Sequence, residues 1–299
     1  MTPTNRLKRP IRLVLDYDGT LTVKDTMAIY GTLPKNNHSP KLTWEDIVNA
    51  YMKDYESYQK QHFPWHNYDR TEYSSWLASR KQIEHQSAKR VQDAGFFQGV
   101  RRKDVEDAVD RAFETGELEP RAGWTDLLEA CYHQSGSTVE ILSVNWSETA
   151  IRRSLQVGAS RRLESNVLNA MPIHANEIEG LDSLEGSSGQ VIRSDGTDIR
   201  TSDDKLRRMK ACGNNGGQFT VYIGDSSTDF DCLCEADIGI WLFDVPEEAY
   251  EGASKKVFSP LEYVPPRLST LKDVAGEKAM FYWAPDFKTV LEVLSTSGS

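Results

Sequence analysis

The sequence predicts an α/β fold in which a parallel β-sheet carries helices on both faces. Three observations predict it: short apolar runs that stop at polar or glycine residues, amphipathic segments between those runs, and one long segment without strand character. Strands buried on both faces have continuous apolar sequences, and strands that alternate with helices are typical of doubly wound sheets. Ligands in such sheets bind beyond the carboxyl ends of the strands. Functional side chains are therefore expected where each apolar run ends.

Four strands and three helices are predicted for the α/β part. The strands are Ile11–Leu15, Thr138–Val144, Phe219–Ile223 and Ile238–Leu242. The helices are Gly123–His133, Ser147–Leu155 with Ser147 as its N-cap, and Asp203–Ala211. The polar, glycine-rich stretch 183–196 is predicted to be a loop with room for a hairpin.

An inserted all-helical domain is predicted for residues 25–117, between the two pieces of the α/β domain at 1–24 and 118–299. Helices are predicted to begin after Thr43 and to cover Arg70–Gln92 and Arg101–Glu114. Three tyrosines, at positions 51, 55 and 58, recur at i, i+4 and i+7. This spacing favours the core of a helical bundle, and stacking on a flat substrate is the alternative.

Composition excludes several classes of protein. The chain has 299 residues, of which 38% are hydrophobic and 27% charged, and a formal net charge of -10. Nucleic acids and anionic membranes are bound through clustered lysine and arginine, so the acidity argues against both partners. No apolar run approaches the roughly 18 residues that a membrane span needs, and no secretory signal is predicted. Four cysteines without a CxxC pair indicate reduced thiols, which predicts a cytoplasmic protein.

Polar side chains that could take part in catalysis or binding follow the predicted strands. Asp16 and Asp18 come directly after the first strand, within the stretch Asp-Tyr-Asp-Gly-Thr-Leu-Thr. A simple turn is the alternative interpretation, but the full stretch after an apolar strand favours a functional site. Ser143 ends the second strand and Lys205 lies near a helix start. After the strand Phe219–Ile223 comes a second acid pair, at positions 225 and 229, which suits a hard cation with oxygen ligands.

With these four sites in this order, the sequence resembles the haloacid dehalogenase (HAD) superfamily over roughly residues 10–24 and 118–245. The resemblance implies a Rossmann-like sheet, a helical cap and phosphoryl transfer. It implies that Asp16 is the nucleophile that forms an aspartyl-phosphate, and that Asp18 is the general acid and base. It further implies that Ser143 binds a phosphoryl oxygen and that Lys205 neutralises the nucleophile and the phosphate.

The resemblance also implies a magnesium site and contacts to the substrate. Its magnesium ligands would be Asp16, the backbone carbonyl of Asp18, Asp225 and Asp229. The predicted substrate contacts are Gly19, Thr20, Asp25 and Asn145. For Asp25, an acid facing a cationic substrate and an acid that favours a helix N-terminus are equally good interpretations.

Three further stretches show a finer resemblance to capped phosphatases of small molecules. Asn169–Glu179, Asp204-Lys205 and Thr220–Gly239 resemble the phosphatase domain of plant thiamin monophosphate phosphatases and, more broadly, phosphoserine phosphatases. The predicted function is therefore a Mg²⁺-dependent phosphomonoesterase that acts on a small cytosolic phosphate ester, with thiamin monophosphate as a candidate. A nucleotidase, a phosphotransferase of the same superfamily and a non-catalytic binder of phosphate esters are the alternatives. The sequence gives no signal for oligomeric state.

Overall fold

A six-stranded parallel sheet, ordered β3-β2-β1-β4-β5-β6, forms the frame of the chain. The computed structural model describes residues 9–33, 39–63, 68–159, 163–193, 195–213, 218–271 and 279–296. The strands are β1 (Ile11–Leu15), β2 (Thr138–Leu142), β3 (Ile173–His174), β4 (Phe219–Gly224), β5 (Ile238–Leu242) and β6 (Tyr282–Ala284). All four predicted strands and their parallel arrangement are confirmed. The two strands at the sheet edges have two and three residues, which is too short for a recognisable apolar run.

Helices cover both faces of the sheet. They are α5 (Trp124–His133), α6 (Glu148–Gly158), α7 (Ser165–Ala170), α8 (Ser202–Ala211), α9 (Phe230–Glu235), α10 (Tyr250–Val257) and α11 (Phe287–Thr296). Alternate residues of β1 serve the two faces: Leu13 and Leu15 pack into one apolar cluster, and Val14 packs into the other. The predicted N-cap of α6 is confirmed, because the Ser147 hydroxyl accepts a hydrogen bond from Ala150 N at 3.1 Å.

Between β1 and α5 the described residues form helices, as predicted, and we call 44–115 the helical segment. Its members are α1 (Trp44–His62), α2 (Arg70–Ser79), α3 (Lys81–Asp93) and α4 (Arg102–Thr115), preceded by a 3₁₀ helix at Met27–Thr32. The prediction of a single helix over Arg70–Gln92 is wrong, because the chain bends at Arg80. No glycine or proline marks this break. The break arises because α2 packs against α8, which also contacts β2, whereas α3 packs against α1.

The glycine-rich stretch 179–191 fastens the helical segment to the rest of the chain. Ser187 exchanges two backbone hydrogen bonds with 99–100, both of 2.8 Å, and Arg102 N donates to Leu181 O at 3.1 Å. The two ends of the stretch pair as a short hairpin: Ile178 and Val191 form an isolated antiparallel bridge, and Glu179 N donates to Gln190 O and Ile192 N to Glu177 O, both at 2.9 Å. This hairpin begins before the predicted loop 183–196, of which Ser194 lies outside the described residues. Gly186 has φ +78° and leaves no room for a Cβ beside the Gly99 carbonyl.

None of the helices in the described part of the chain is both long and apolar enough to cross a bilayer.

Candidate active site

The four sequence sites converge at the carboxyl end of the sheet. Asp16 follows β1, Ser143 follows β2 and Asp225 follows β4, and these three strands are neighbours in the sheet. All three side chains line a cavity of about 450 Å³, together with Asp18 and Asn145. The sequence prediction that these residues lie together therefore agrees with the geometry, and their chemical roles stay predictions.

Lys205 lies beneath this cavity, buried between two carboxylates. Its Nζ is 2.7 Å from Asp16 Oδ1 and 2.7 Å from Asp229 Oδ1, and its side chain is fully buried. The two carboxylates raise the pKa of Lys205 and outweigh the opposing effect of burial, so the ammonium stays charged. Burial, reinforced by the charge of Asp229, raises the pKa of Asp16 to about 7 despite this contact. One cation therefore does not balance the acids that surround it.

Asp229 has both carboxylate oxygens occupied by donors of the chain. Oδ1 accepts from Lys205 and from the Tyr222 hydroxyl at 2.6 Å. Oδ2 accepts from Asp225 N at 3.2 Å and from Ser226 N at 3.0 Å. These bonds fix the carboxylate, and through it the position of the Lys205 ammonium.

Asp225 is held against the loop that follows β1. Its Oδ1 accepts from the Thr20 hydroxyl at 3.1 Å, and its backbone carbonyl accepts from Trp241 Nε1 at 2.7 Å. Gly19 has φ +71°, and a Cβ at this position would collide with the Asp225 carboxylate. The loop thus approaches Asp225 closely because residue 19 is glycine. Of the two predicted substrate contacts in the loop, Gly19 lines the cavity and Thr20 directs its hydroxyl at Asp225.

Asp18 accepts hydrogen bonds at both carboxyl oxygens. Oδ1 accepts from Thr26 N at 2.9 Å and from Thr26 Oγ1 at 2.6 Å, and Oδ2 accepts from Asn145 Nδ2 at 2.6 Å. Burial and the nearby charge of Asp25 raise the pKa of Asp18 to about 6, although these hydrogen bonds oppose the rise. A carboxyl group with such a pKa carries a proton for part of the time near neutral pH.

The acidic cluster fits a hard divalent cation. Carboxylate oxygens of Asp16, Asp225 and Asp229 lie within 4.8 Å of one another. Burial and the charge of Asp16 raise the pKa of Asp225 well above its usual range, so this carboxylate is short of positive charge. An all-oxygen donor set with unbalanced negative charge is what Mg²⁺ or Ca²⁺ prefers.

A second cluster, around His174, is better explained by hydrogen bonds. His174 Nε2 lies 3.1 Å from Glu140 Oε2 and 3.3 Å from Cys212 Sγ. The guanidinium of Arg208 donates to Nδ1 at 3.1 Å, which leaves the ring hydrogen on Nε2. A nitrogen that carries hydrogen donates to Glu140 and is not free to bind a metal. This agrees with a structural role for His174.

Apolar and aromatic residues of α1 form the outer wall of the cavity. Trp44, Ile47 and Tyr51 lie along one side of the helix and line the cavity with Trp146. Of the three tyrosines predicted for a bundle core, Tyr58 is buried, and the other two are half-buried. The i, i+3, i+7 spacing of the wall residues was visible in the sequence, but nothing local indicates which face of α1 meets the cavity.

Two further acids face the same space. Asp25 lies at the exposed rim, where partial burial raises its pKa, and its Oδ1 accepts from Met27 N at 2.7 Å. Glu84 of α3 also lines the cavity and accepts a hydrogen bond of 2.8 Å from the Tyr51 hydroxyl. Sequence reasoning missed Glu84, because a single glutamate on an amphipathic helix carries no distinguishing signal. Arg200 is a basic residue of the lining, and its guanidinium is bonded to Asp198 at 2.8 Å.

Comparison with known proteins gives a family match over most of the chain. A model of the haloacid dehalogenase-like hydrolases matches residues 13–233. A CTO1 family protein of Schizosaccharomyces pombe is 28% identical over 239 residues, which cover 77% of this chain and 80% of that protein. The protein named bifunctional TH2 protein, mitochondrial, of Arabidopsis thaliana is 26% identical over 262 residues, and the match covers 79% of this chain but 40% of that protein.

Solved structures resemble the chain more distantly. A phosphoserine phosphohydrolase-like protein of Francisella tularensis is 13% identical, with a TM-score of 0.49, over 95% of this chain and 99% of that one.

Proposed function

Because the chain belongs to the haloacid dehalogenase-like hydrolases, we propose that it is a Mg²⁺-dependent phosphomonoesterase acting on a small phosphate ester. The observation that carries this proposal is the pairing of Asp16 with buried Lys205 at the floor of a cavity that Asp18 also lines. These three residues supply a nucleophile, a cation and a proton donor within one site.

The proposed reaction has two steps. A carboxylate oxygen of Asp16 attacks phosphorus, the bond from phosphorus to the ester oxygen breaks, and the proton of Asp18 moves to the departing oxygen. Asp18 then takes a proton from water, the water oxygen attacks phosphorus, and the bond to Asp16 breaks, which releases inorganic phosphate. The raised pKa of Asp18, about 6, supports both roles, since the group can hold and accept a proton near neutral pH.

Positive charge is needed because a carboxylate and a phosphate ester repel each other. Lys205 provides one charge next to Asp16, and the Ser143 hydroxyl offers a hydrogen-bond donor at the cavity wall. A bound Mg²⁺, held by Asp16, Asp225 and the Asp18 carbonyl, would supply the charge that offsets the remaining repulsion. Asp229, the fourth ligand expected from the sequence, has both carboxylate oxygens taken by donors of the chain and would instead hold Lys205.

The cavity walls support a substrate with a flat, cationic group. Asp25 and Glu84 bring negative charge to the walls, and Trp44, Tyr51 and Trp146 bring aromatic faces. Aromatic faces and carboxylates both attract organic cations. Thiamin monophosphate combines a phosphate ester with a cationic ring, so it remains our candidate substrate.

The compartment that we propose is the cytosol. All four cysteines are free, as expected of thiols in a reducing environment.

The test is phosphate release from a panel of esters with Mg²⁺ and with EDTA. The panel contains thiamin monophosphate, phosphoserine, pyridoxal phosphate and nucleoside monophosphates. We expect Mg²⁺-dependent turnover that Asp16→Asn abolishes and that Asp93→Asn, an exposed control on α3, leaves intact. No release from any ester by the wild-type protein would favour a non-catalytic binder. Preferred turnover of nucleotides would favour the nucleotidase.

The cationic substrate is tested separately with Asp25→Asn. We expect KM for thiamin monophosphate to rise about tenfold, which corresponds to the loss of one partly exposed charge contact. KM for p-nitrophenyl phosphate, which has no cationic group, should stay within about twofold by the same reasoning. Equal changes of KM for both esters would show that Asp25 does not contact a cationic group of the substrate.

A further inference from the structure

We propose that Asn145 and Tyr30 are positioning residues that hold Asp18 in the orientation for proton transfer to the leaving group. This inference rests on the proposed phosphatase function. It gives Asn145 a role other than the substrate contact expected from the sequence.

Both polar atoms of the Asn145 side chain form hydrogen bonds with neighbouring residues of the chain. Nδ2 donates to Asp18 Oδ2 at 2.6 Å and to Thr26 Oγ1 at 3.2 Å, and Oδ1 accepts from the Tyr30 hydroxyl and from Ser147 N at 3.1 Å. Only 1% of the residue is exposed. The backbone N–H of Ser147 can only donate, so the amide oxygen must face it and the NH₂ group must face Asp18. The amide orientation is therefore fixed by its surroundings.

Asp18 is consequently held from two sides. Thr26 donates two hydrogen bonds to Oδ1, whereas Asn145 donates one to Oδ2. The oxygen with one partner, Oδ2, retains a lone pair for the proton that is transferred. Holding a proton donor in a single orientation lowers the barrier to transfer, because the entropy of alignment is already lost in the folded state.

Tyr30 connects this arrangement to the core beneath the helical segment. It lies on the 3₁₀ helix Met27–Thr32, is 1% exposed, and directs its hydroxyl at Asn145. Its ring stacks on that of Trp146, with 6.4 Å between the ring centroids, and meets that of Phe97 edge-on, with 6.1 Å between the centroids. The packing that surrounds the cavity thus also determines where the hydroxyl lies, and with it the amide of Asn145.

The dependence of kcat/KM on the leaving group tests this role. Glycerol 2-phosphate releases an alkoxide that needs a proton, whereas p-nitrophenyl phosphate releases a stable phenolate that does not. A positioned general acid contributes roughly 10²–10⁴-fold, so Asp18→Asn should lose about that factor on glycerol 2-phosphate alone. We expect losses of about tenfold for Tyr30→Phe and about 100-fold for Asn145→Ala on glycerol 2-phosphate, and of less than about threefold on p-nitrophenyl phosphate.

A matched control and a binding measurement separate positioning from other roles. Tyr263→Phe removes a hydroxyl that bonds to Phe281 O, in a different part of the core, and should leave both esters unaffected. The inhibition constant of inorganic phosphate should not change in Tyr30→Phe or Asn145→Ala.

Two results would overturn the inference. Equal losses on both esters would show a general structural effect, and a raised inhibition constant for phosphate in Asn145→Ala would show a substrate contact. Tyr30→Phe removes a single oxygen, so it tests the idea even if the alanine variant does not fold. If the wild-type protein hydrolyses neither these two esters nor any ester of the panel above in the presence of Mg²⁺, the proposed function itself fails, which is distinguishable from both results.

Discussion

Removal of divalent cations should make the stability of this protein rise as the pH falls from about 8 to about 5.5. The cause is the crowding of buried carboxylates at the carboxyl end of the sheet. Asp16, Asp18 and Asp225 all have raised pKa values, with burial as the largest cause. A carboxyl whose pKa is higher in the folded state stabilises the protein when it is protonated, and this contribution is lost as the pH rises through the folded-state pKa.

The magnitude follows from the two pKa values near neutrality. The pKa of Asp16 is about 7 in the folded protein and that of Asp18 about 6, against an ordinary value of 3.8 for each. Over this pH range protonation of Asp16 adds about 2 kcal/mol to the free energy of unfolding, and protonation of Asp18 adds about 1 kcal/mol. Despite the opposing effect of burial, hydrogen bonds to Cys212 and Glu140 raise the pKa of His174, and this rise acts in the same direction, whereas the lowered pKa of Cys212 acts in the opposite one. The total gain should therefore be about 3 kcal/mol.

Urea unfolding in EDTA, followed by tryptophan fluorescence, measures this dependence. Asp16→Asn should remove about 2 kcal/mol of the pH dependence and leave the contributions of Asp18 and His174 in place. Mg²⁺ should stabilise the wild-type protein more at the higher pH, because protons compete with the cation for the carboxylates. A free energy of unfolding that is constant or falls towards the lower pH would refute the reasoning, as would identical pH dependence in wild type and Asp16→Asn.

Three further predictions concern single residues. Lys205→Met should lower the free energy of unfolding by about 3–5 kcal/mol, because it leaves two buried carboxylates without their cation; an unchanged urea midpoint would contradict this. Gly19→Ala should reduce kcat/KM for phosphate release by about 100-fold, since the methyl group displaces the adjacent carboxylate of the acidic cluster; wild-type rates would contradict it. Gly186→Ala should cost about 1–3 kcal/mol in urea unfolding because it meets the Gly99 carbonyl. Gly196→Ala, with a similar φ of +76° and no neighbouring atom within 4 Å, is its control and should cost less.

Local sequence was a good guide wherever burial pattern decides the structure. Two strands match their predicted bounds, β1 and β5, because apolar branched runs of five residues have few alternatives to a buried strand. Thr43 is an N-cap, as predicted, with Asp46 completing the capping box. The helix break at Arg80 was invisible, since its cause lies in helices distant along the chain.

The sequence by itself determined which strands carry functional side chains and, to within two residues, where each of them ends. It thereby placed Asp16, Ser143 and Asp225 at one edge of the sheet, because the carboxyl ends of parallel strands lie on the same side. Only the tertiary structure decided how these groups are balanced: that Lys205 is fully buried between two carboxylates, and that Asn145 directs its amide at Asp18. The physical reason is that strand ends follow from local patterns, whereas side-chain partners depend on packing between segments far apart in the chain.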